Sequence, residues 1–381
     1  MEIRHLIAMP TRLMTVLVIF SLARAAVAAE NSAVFEAPAQ TATKADDDSS
    51  SGLVPIPALY YTPETSIAAG AVLIYYYRNP GDSPNTKPSQ IKPIVIATGK
   101  KQLITSLLMT RRWNDGRDQV SVSGRYRRYP DKLWDIGPVS TPESEEDYSC
   151  NIAGAEAFWQ HAVGGYVDVG PIVSLNTYQV TKKQKDGQLM EGQLTGVDGA
   201  RSAAYGILVG HDSRDGIFAP SRGVLASLRL SRVNDMEYGH SPYDEEVIDA
   251  RHYLSIVDSH ILVFRLMGQR QMGDVPFRDL ASLGGPERMR GYYEGRFRDK
   301  ASLSAEEEYR FPLWRRLRGA FFGSVGNVGK DFDQILKTSK KFAVGGGVRY
   351  VVKEKEGISI RVDVGRTTES AGLYVQLNEA F

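Results

Sequence analysis

The sequence predicts an all-β fold, a transmembrane antiparallel β-barrel of sixteen strands, on three observations. First, the chain closes on Ala371–Phe381, where Leu373, Val375 and Leu377 alternate with Tyr374, Gln376 and Asn378 before a last aromatic ring. A period of two is a strand with one apolar and one polar face. A closing barrel strand uses both faces, and an aromatic end anchors it at the membrane–water interface. Second, a secretory leader opens the chain. Arg4, His5 and Arg12 precede the apolar run Leu13–Leu22, and Ala26-Val27-Ala28 supplies a small-x-small cleavage pattern. Third, no later segment is long and apolar enough for a membrane helix, and the mean hydropathy is −0.27. A barrel hides its membrane character in this way, because every second residue faces the lumen.

Residues 1–28 read as the signal peptide; their apolar run falls short of the ~18–20 residues a spanning helix needs. Cys150 is the single cysteine, which leaves no lipid attachment at the leader and no internal disulfide. Residues 29–52 are small, polar and acidic at Asp46-Asp47-Asp48, a disordered periplasmic lead-in. From 53 to 381, alternating segments give sixteen strands: 53–61, 66–77, 92–99, 102–113, 118–128, 146–161, 165–179, 199–212, 222–233, 246–257, 259–270, 301–311, 317–327, 340–352, 357–366 and 371–381. An even number returns both ends to the periplasm.

Parity supports each strand. Val120, Val122 and Tyr126 oppose Gln119, Ser121, Arg125 and Arg127; Val224, Ala226 and Leu228 oppose Ser227 and Arg229; Ile358, Ile360 and Val362 oppose Ser359, Arg361 and Asp363. Charged residues on one face imply a polar interior. Short connections at 162–164, 258, 312–316 and 353–356 fit periplasmic turns, and longer ones at 129–145, 180–198, 234–245 and 271–300 fit extracellular loops. The 78–91 connection is long for its periplasmic side.

Loop 271–300 holds Gly284-Gly-Pro-Glu-Arg-Met-Arg-Gly-Tyr292 between the eleventh and twelfth strands. Asp212-Ser-Arg-Asp-Gly-Ile-Phe-Ala-Pro-Ser-Arg-Gly223, with Asp212, Arg214, Asp215, Pro220 and Gly223 as its turn-forming residues, links the eighth and ninth on the periplasmic side. With Leu53-Val-Pro-Ile-Pro57, Thr62-Pro-Glu64, Leu133-Trp-Asp-Ile-Gly137, Glu308-Tyr-Arg-Phe-Pro-Leu313 and Arg361-Val-Asp363, this arrangement resembles the BamA/TamA superfamily of outer-membrane barrels, the bacterial surface antigen domain. Ser370–Leu377 is also similar to the targeting signal of bacterial outer-membrane proteins. The resemblance implies that the loop folds back into the lumen, carrying Arg290, Gly291 and Tyr292, and that Arg290 pairs with Glu308. The family's second acid falls on Ser324 of Phe322-Gly-Ser-Val-Gly326, a hydroxyl that cannot pair ionically. Parity places Ser304, Glu306, Glu308 and Arg310 inward as well, and leaves Glu307 as an outward charge.

The family's assembly factors carry periplasmic POTRA modules, and 29–52 is too short for one, so a variant without them is expected. Pro55 and Pro57 lack amide hydrogens on one side of the first strand. If that side faces the last strand, the seam closed by 53–61 and the segment ending at Phe381 is loosened, as in the lateral gate proposed for the family. If the prolines precede the paired region, they only set the entry of the chain.

The expected role is outer-membrane protein insertion, assembly or translocation at the cell outer membrane of a Gram-negative-type bacterium. The expected partners are outer-membrane lipid, the barrel assembly machinery for the chain's own insertion, and client outer-membrane or exported proteins. A passive or gated channel favouring anions through Arg125, Arg127, Arg229 and Arg361 is the alternative. A lipase is more remote: His211 beside Ser213 is its nearest pair, His161 and His260 sit at strand ends, and no Gly-x-Ser-x-Gly is present. Gly326–Lys330 has the wrong spacing for a phosphate loop, and acidic clusters 143–147 and 306–308 read as solvated. The histidines show no metal-ligand spacing, and a net charge of +1 gives no attraction to nucleic acid. No catalytic residue, cofactor or metal is expected.

Overall fold

In lipid every backbone amide must find a partner within the protein, which leaves strands only one solution, a closed ring. The computed structural model describes residues 51–80, 86, 88–216, 219–353 and 358–381. The predicted leader, the lead-in up to residue 50 and part of the 78–91 connection lie outside them. Sixteen strands close an antiparallel barrel, running from β1 (Ser51–Thr62) and β2 (Ser66–Tyr77) round to β17 (Ile358–Arg366) and β18 (Ala371–Leu377). The remaining pair, β12 (Ala281–Leu283) and β13 (Phe297–Asp299), is a small hairpin in the long connection between β11 (His260–Met272) and β14 (Ala301–Trp314).

Alternation places aliphatic and aromatic side chains outside. Leu59 is 69% exposed and Phe321 63%, whereas the next residues in register, Tyr60 and Phe322, are buried. Tyr309, Phe311 and Phe321 stack near the short turn joining β14 and β15 (Leu317–Gly329), where aromatic rings suit the interface. Glu307 does project outward, between Phe264 and Gly323 of the flanking strands.

β5 (Asp118–Leu133), β6 (Glu146–Gly164) and β7 (Val167–Lys183) run longer than the sequence pattern indicates and shorten the loops expected at 129–145 and 180–198. Beyond the hydrocarbon belt the outward face no longer needs apolar residues, so the alternation fades while the hydrogen-bonded ladder continues. The opposite correction applies at the end of the chain. β18 stops at Leu377 and is the shortest strand of the barrel. Asn378 takes a left-handed φ of 61° and turns the chain inward, so Phe381 is buried in the lumen and is not an interfacial anchor.

The expected polar interior also needs correction. The inner face of β1 to β4 (Leu103–Trp113) is apolar: Ala58, Tyr60, Ala68, Val72, Ile74, Ile94, Ile96 and Ile104 form one buried cluster. Over that stretch both faces are apolar, one against lipid and one inward; Gln90, Lys92 and Thr110 are buried polar residues at the far ends of β3 (Ser89–Thr98) and β4. The charged interior belongs to the other side of the ring, where Asp249, Glu308, Arg349 and Asp363 are fully buried.

Candidate functional site

The connection between β11 and β14 drops into the lumen, and glycine makes the descent possible. Gly284 has φ 105° and Gly291 φ 121°, both in the region that disfavours side chains. A Cβ on Gly291 would stand 3.0 Å from the Arg366 nitrogen, and one on Gly365 would stand 2.2 Å from the Arg290 carbonyl oxygen. The loop backbone is thus pressed directly onto β17. The Gly291 amide donates to the Tyr374 hydroxyl of β18 at 2.9 Å. Tyr292 packs edge-on against Phe297, within a buried cluster that includes Leu283, Met289 and Val328.

At the tip, the Arg290 guanidinium reaches Glu308 Oε2 and Asp363 Oδ2, each at 2.5 Å, and lies 3.5 Å above the Phe322 ring. The acids are shared. Glu308 also accepts from Arg310 at 2.7 Å, and Asp363 accepts from Arg349 at 2.5 Å and Arg361 at 2.9 Å. Two bidentate carboxylates locked among arginines fix both distance and orientation, and removing either partner would strand a buried charge. Ser324 plays no such part: its hydroxyl donates to the Ala343 carbonyl at 3.4 Å. The second acid sits on β17 as Asp363, facing inward by the same alternation that places Arg361.

Further along the lumen the loop meets the turns at its own end of the barrel. The Glu294 amide donates to Glu64 Oε1 at 2.9 Å, and Gln102 Nε2 donates to the Glu64 carbonyl at 3.0 Å. Burial, reinforced by the Glu294 charge, pushes the Glu64 carboxyl up to about 7. Arg296 pairs with Glu369 at 2.9 Å and donates to Ser140 at 2.7 Å, while Trp134 packs on Tyr293. Arg278 reaches Asp131 at 3.2 Å.

The two ends of the barrel meet at a seam, where β1 and β18 are paired only at Tyr61 and Val375. By contrast, β1 pairs with β2 from Ser51↔Tyr77 to Thr62↔Ser66, and β18 pairs with β17 from Ala371 to Leu377. That β1–β2 ladder runs unbroken through Pro55↔Leu73 and Pro57↔Ala71, so the prolines lie inside the paired region. In an antiparallel pair alternate residues donate to a given neighbour. Proline has no amide hydrogen, so the donors toward β2 come from Val54, Ile56 and Ala58, and the two missing hydrogens fall on the opposite edge, where the Tyr61↔Val375 register sets Pro57 and Pro55 past the end of β18.

The Omp85 superfamily domain matches residues 99–377. The chain belongs to the Omp85 superfamily. No curated protein matches it in sequence. Among solved structures, BamA from Haemophilus ducreyi lacking POTRA domains 1–3 is similar with a TM-score of 0.60 at 10% identity, covering 87% of this chain and 70% of that one. CdiB from Escherichia coli has a TM-score of 0.57 at 11% identity, covering 87% and 64%. CdiB from Acinetobacter baumannii has 0.53 at 11%, covering 86% and 59%, so this Omp85 barrel spans less than two thirds of either CdiB chain.

The turn after β8 (Gly199–Asp212) is self-contained. Asp212 holds Arg214 at 2.9 Å, Asp215 accepts the Ser221 amide at 2.8 Å, and Gly223 has φ 104° with no room for a Cβ beside the Ser213 carbonyl. Pro220 is buried in it. His211 Nε2 lies 3.1 Å from Ser213 Oγ, but that oxygen already accepts from the Val224 amide at 3.0 Å and closes the turn. Among the arginines expected to line a channel, Arg229 is paired with Glu156 at 3.1 Å and Arg361 with Asp363. Arg125, Arg127 and Arg229 line one cavity of about 220 Å³. Sequence reasoning missed Arg349, Tyr374 and Glu379; inward parity was the signal for the first two, and the third follows the turn at Asn378.

Proposed function

We propose that this Omp85 barrel is an outer-membrane insertion or translocation factor that works at the β1–β18 seam on client outer-membrane or exported proteins. The one observation that carries the reading is the seam itself, a single paired position between two strands that are fully laddered on their other sides. An incompletely paired edge offers free amides and carbonyls to another strand. Pro55 and Pro57 leave the part of that edge beyond the end of β18 short of two donors, and the Arg290 latch holds the loop so that the lumen stays filled while the seam works. The leader at 1–28 and the final strand fit delivery to the outer membrane, where lipid and the cell's barrel assembly machinery are the first partners. No enzymatic step is assigned.

The channel reading draws support from the cavity that Arg125, Arg127 and Arg229 line. Purified protein in lipid vesicles tests both. Insertion predicts faster folding of an added unfolded eight-stranded outer-membrane protein, with near-silent bilayer conductance. Steady anion-selective current with no effect on client folding would establish the channel instead.

A further inference from the structure

The seam strand carries an inward extension. After Leu377, which still pairs with Ile360, the Asn378 amide donates to the Ser359 carbonyl at 2.7 Å and the chain turns across the lumen. Four residues reach about 13 Å. Phe381 is 5% exposed and packs with Leu225 of β9 (Gly223–Asp235), Tyr253 of β10 (Tyr243–Val257), and Ile261 and Val263 of β11. All four point inward, on the wall facing the seam.

The same segment touches the latch. The Phe381 ring lies 5.6 Å from the Arg265 guanidinium and 5.7 Å from that of Arg290. Arg310 donates to the Phe381 carbonyl at 2.6 Å, and Glu379 receives Arg349 at 3.0 Å and Arg310 at 3.5 Å. Arg310 and Arg349 are also the arginines that share Glu308 with Arg290.

We propose that residues 378–381 are a strap: Phe381, docked on the β9–β11 wall, holds β18 at the seam from inside and couples its release to the Arg290 latch. With β1 and β18 joined at one position, the ladder alone holds little. β18 cannot swing outward until Phe381 leaves its pocket, and Arg310 and Arg349 bind both strap and latch acid, so freeing the loop loosens both. The strap stands apart from the insertion reading, since its test uses no client: its failure would leave that reading intact, and the reverse holds.

Directly opposed residues in an antiparallel pair are close enough for a disulfide. Tyr61→Cys with Val375→Cys, in a Cys150→Ser background, therefore reports seam closure by disulfide yield under mild oxidation. Adding Leu225→Asn and Val263→Asn, which leave the chain end untouched, should speed alkylation of the reduced pair by a maleimide about tenfold, because losing one buried aromatic contact raises the small open fraction of a mostly closed seam by about that factor. An unchanged rate in a barrel that keeps its heat-dependent gel shift overturns the strap. Should that variant not fold, the converse decides: Val263→Cys with Phe381→Cys, again with Cys150→Ser, pins the strap. The oxidised protein should then show at least about tenfold fewer opening events in planar bilayers than the same sample after reduction. Equal rates, or no disulfide at all, overturn it.

Discussion

Two walls of one barrel fill their lumen side by opposite means. From β1 to β4 the inner face is aliphatic, with Val72, Ile74, Ile94 and Ile96 packed on each other. From β14 to β18 it is ionic, with Arg290, Arg310, Arg349 and Arg361 shared between Glu308 and Asp363. The apolar wall is non-directional and tolerates changes of shape; the ionic wall holds a loop in one place because each charge needs its partner. The seam lies where the two meet. Its weakness follows from length: β18 ends at Leu377, and in the Tyr61↔Val375 register the residues of β1 before Leu59 face no strand.

The contrast is broken most severely on the ionic side. Glu308→Ala or Asp363→Ala leaves Arg290 and its neighbours buried without a counter-charge, and should cost about 3–5 kcal/mol in urea unfolding of the detergent-solubilised barrel. Arg290→Ala should release the loop, seen as new protease cleavage within 273–300.

The Glu64 contact sharpens the comparison, because it is an acid placed at the edge of the apolar wall. Its carboxyl is raised from 4.5 to about 7 by burial and then by Glu294. The docked state therefore holds a proton that the undocked state releases, so docking weakens as pH rises from about 4.5 through about 7. Glu64→Gln should flatten this dependence and leave the loop as protease-resistant at pH 8 as at pH 5; an unaltered pH profile would contradict the assignment.

On the apolar wall, Ile96→Val should cost only about 1 kcal/mol in the same unfolding measurement. Ser324→Ala, which removes one long hydrogen bond to a carbonyl, should cost less than about 1 kcal/mol and leave the loop docked.

Much of this architecture was legible in the residues. The strands could be placed from period-two alternation, because lipid outside imposes apolar side chains at every second position. The inward loop and the Arg290–Glu308 pair came from the family resemblance that the Gly284–Tyr292 motif carries, with the parity of 301–311 turning Glu308 inward. Asp363 was visible as an inward acid, but parity does not say which strand a loop will rest against; the contact of Gly291 with Gly365 decides that. The apolar inner wall was hidden because Leu53–Tyr61 is apolar on both faces, which carries no alternation signal. The strap was hidden too, since a residue that turns inward at a left-handed Asn378 leaves the strand period behind.

In the proposed function the β1–β18 seam is the working part of this barrel. A reversible covalent lock tests it most directly: Tyr61→Cys with Val375→Cys in the Cys150→Ser background, reconstituted in vesicles with an unfolded outer-membrane client. Oxidised protein should lose its acceleration of client folding and recover it on reduction. Undiminished acceleration by the fully oxidised, heat-modifiable barrel would contradict the account.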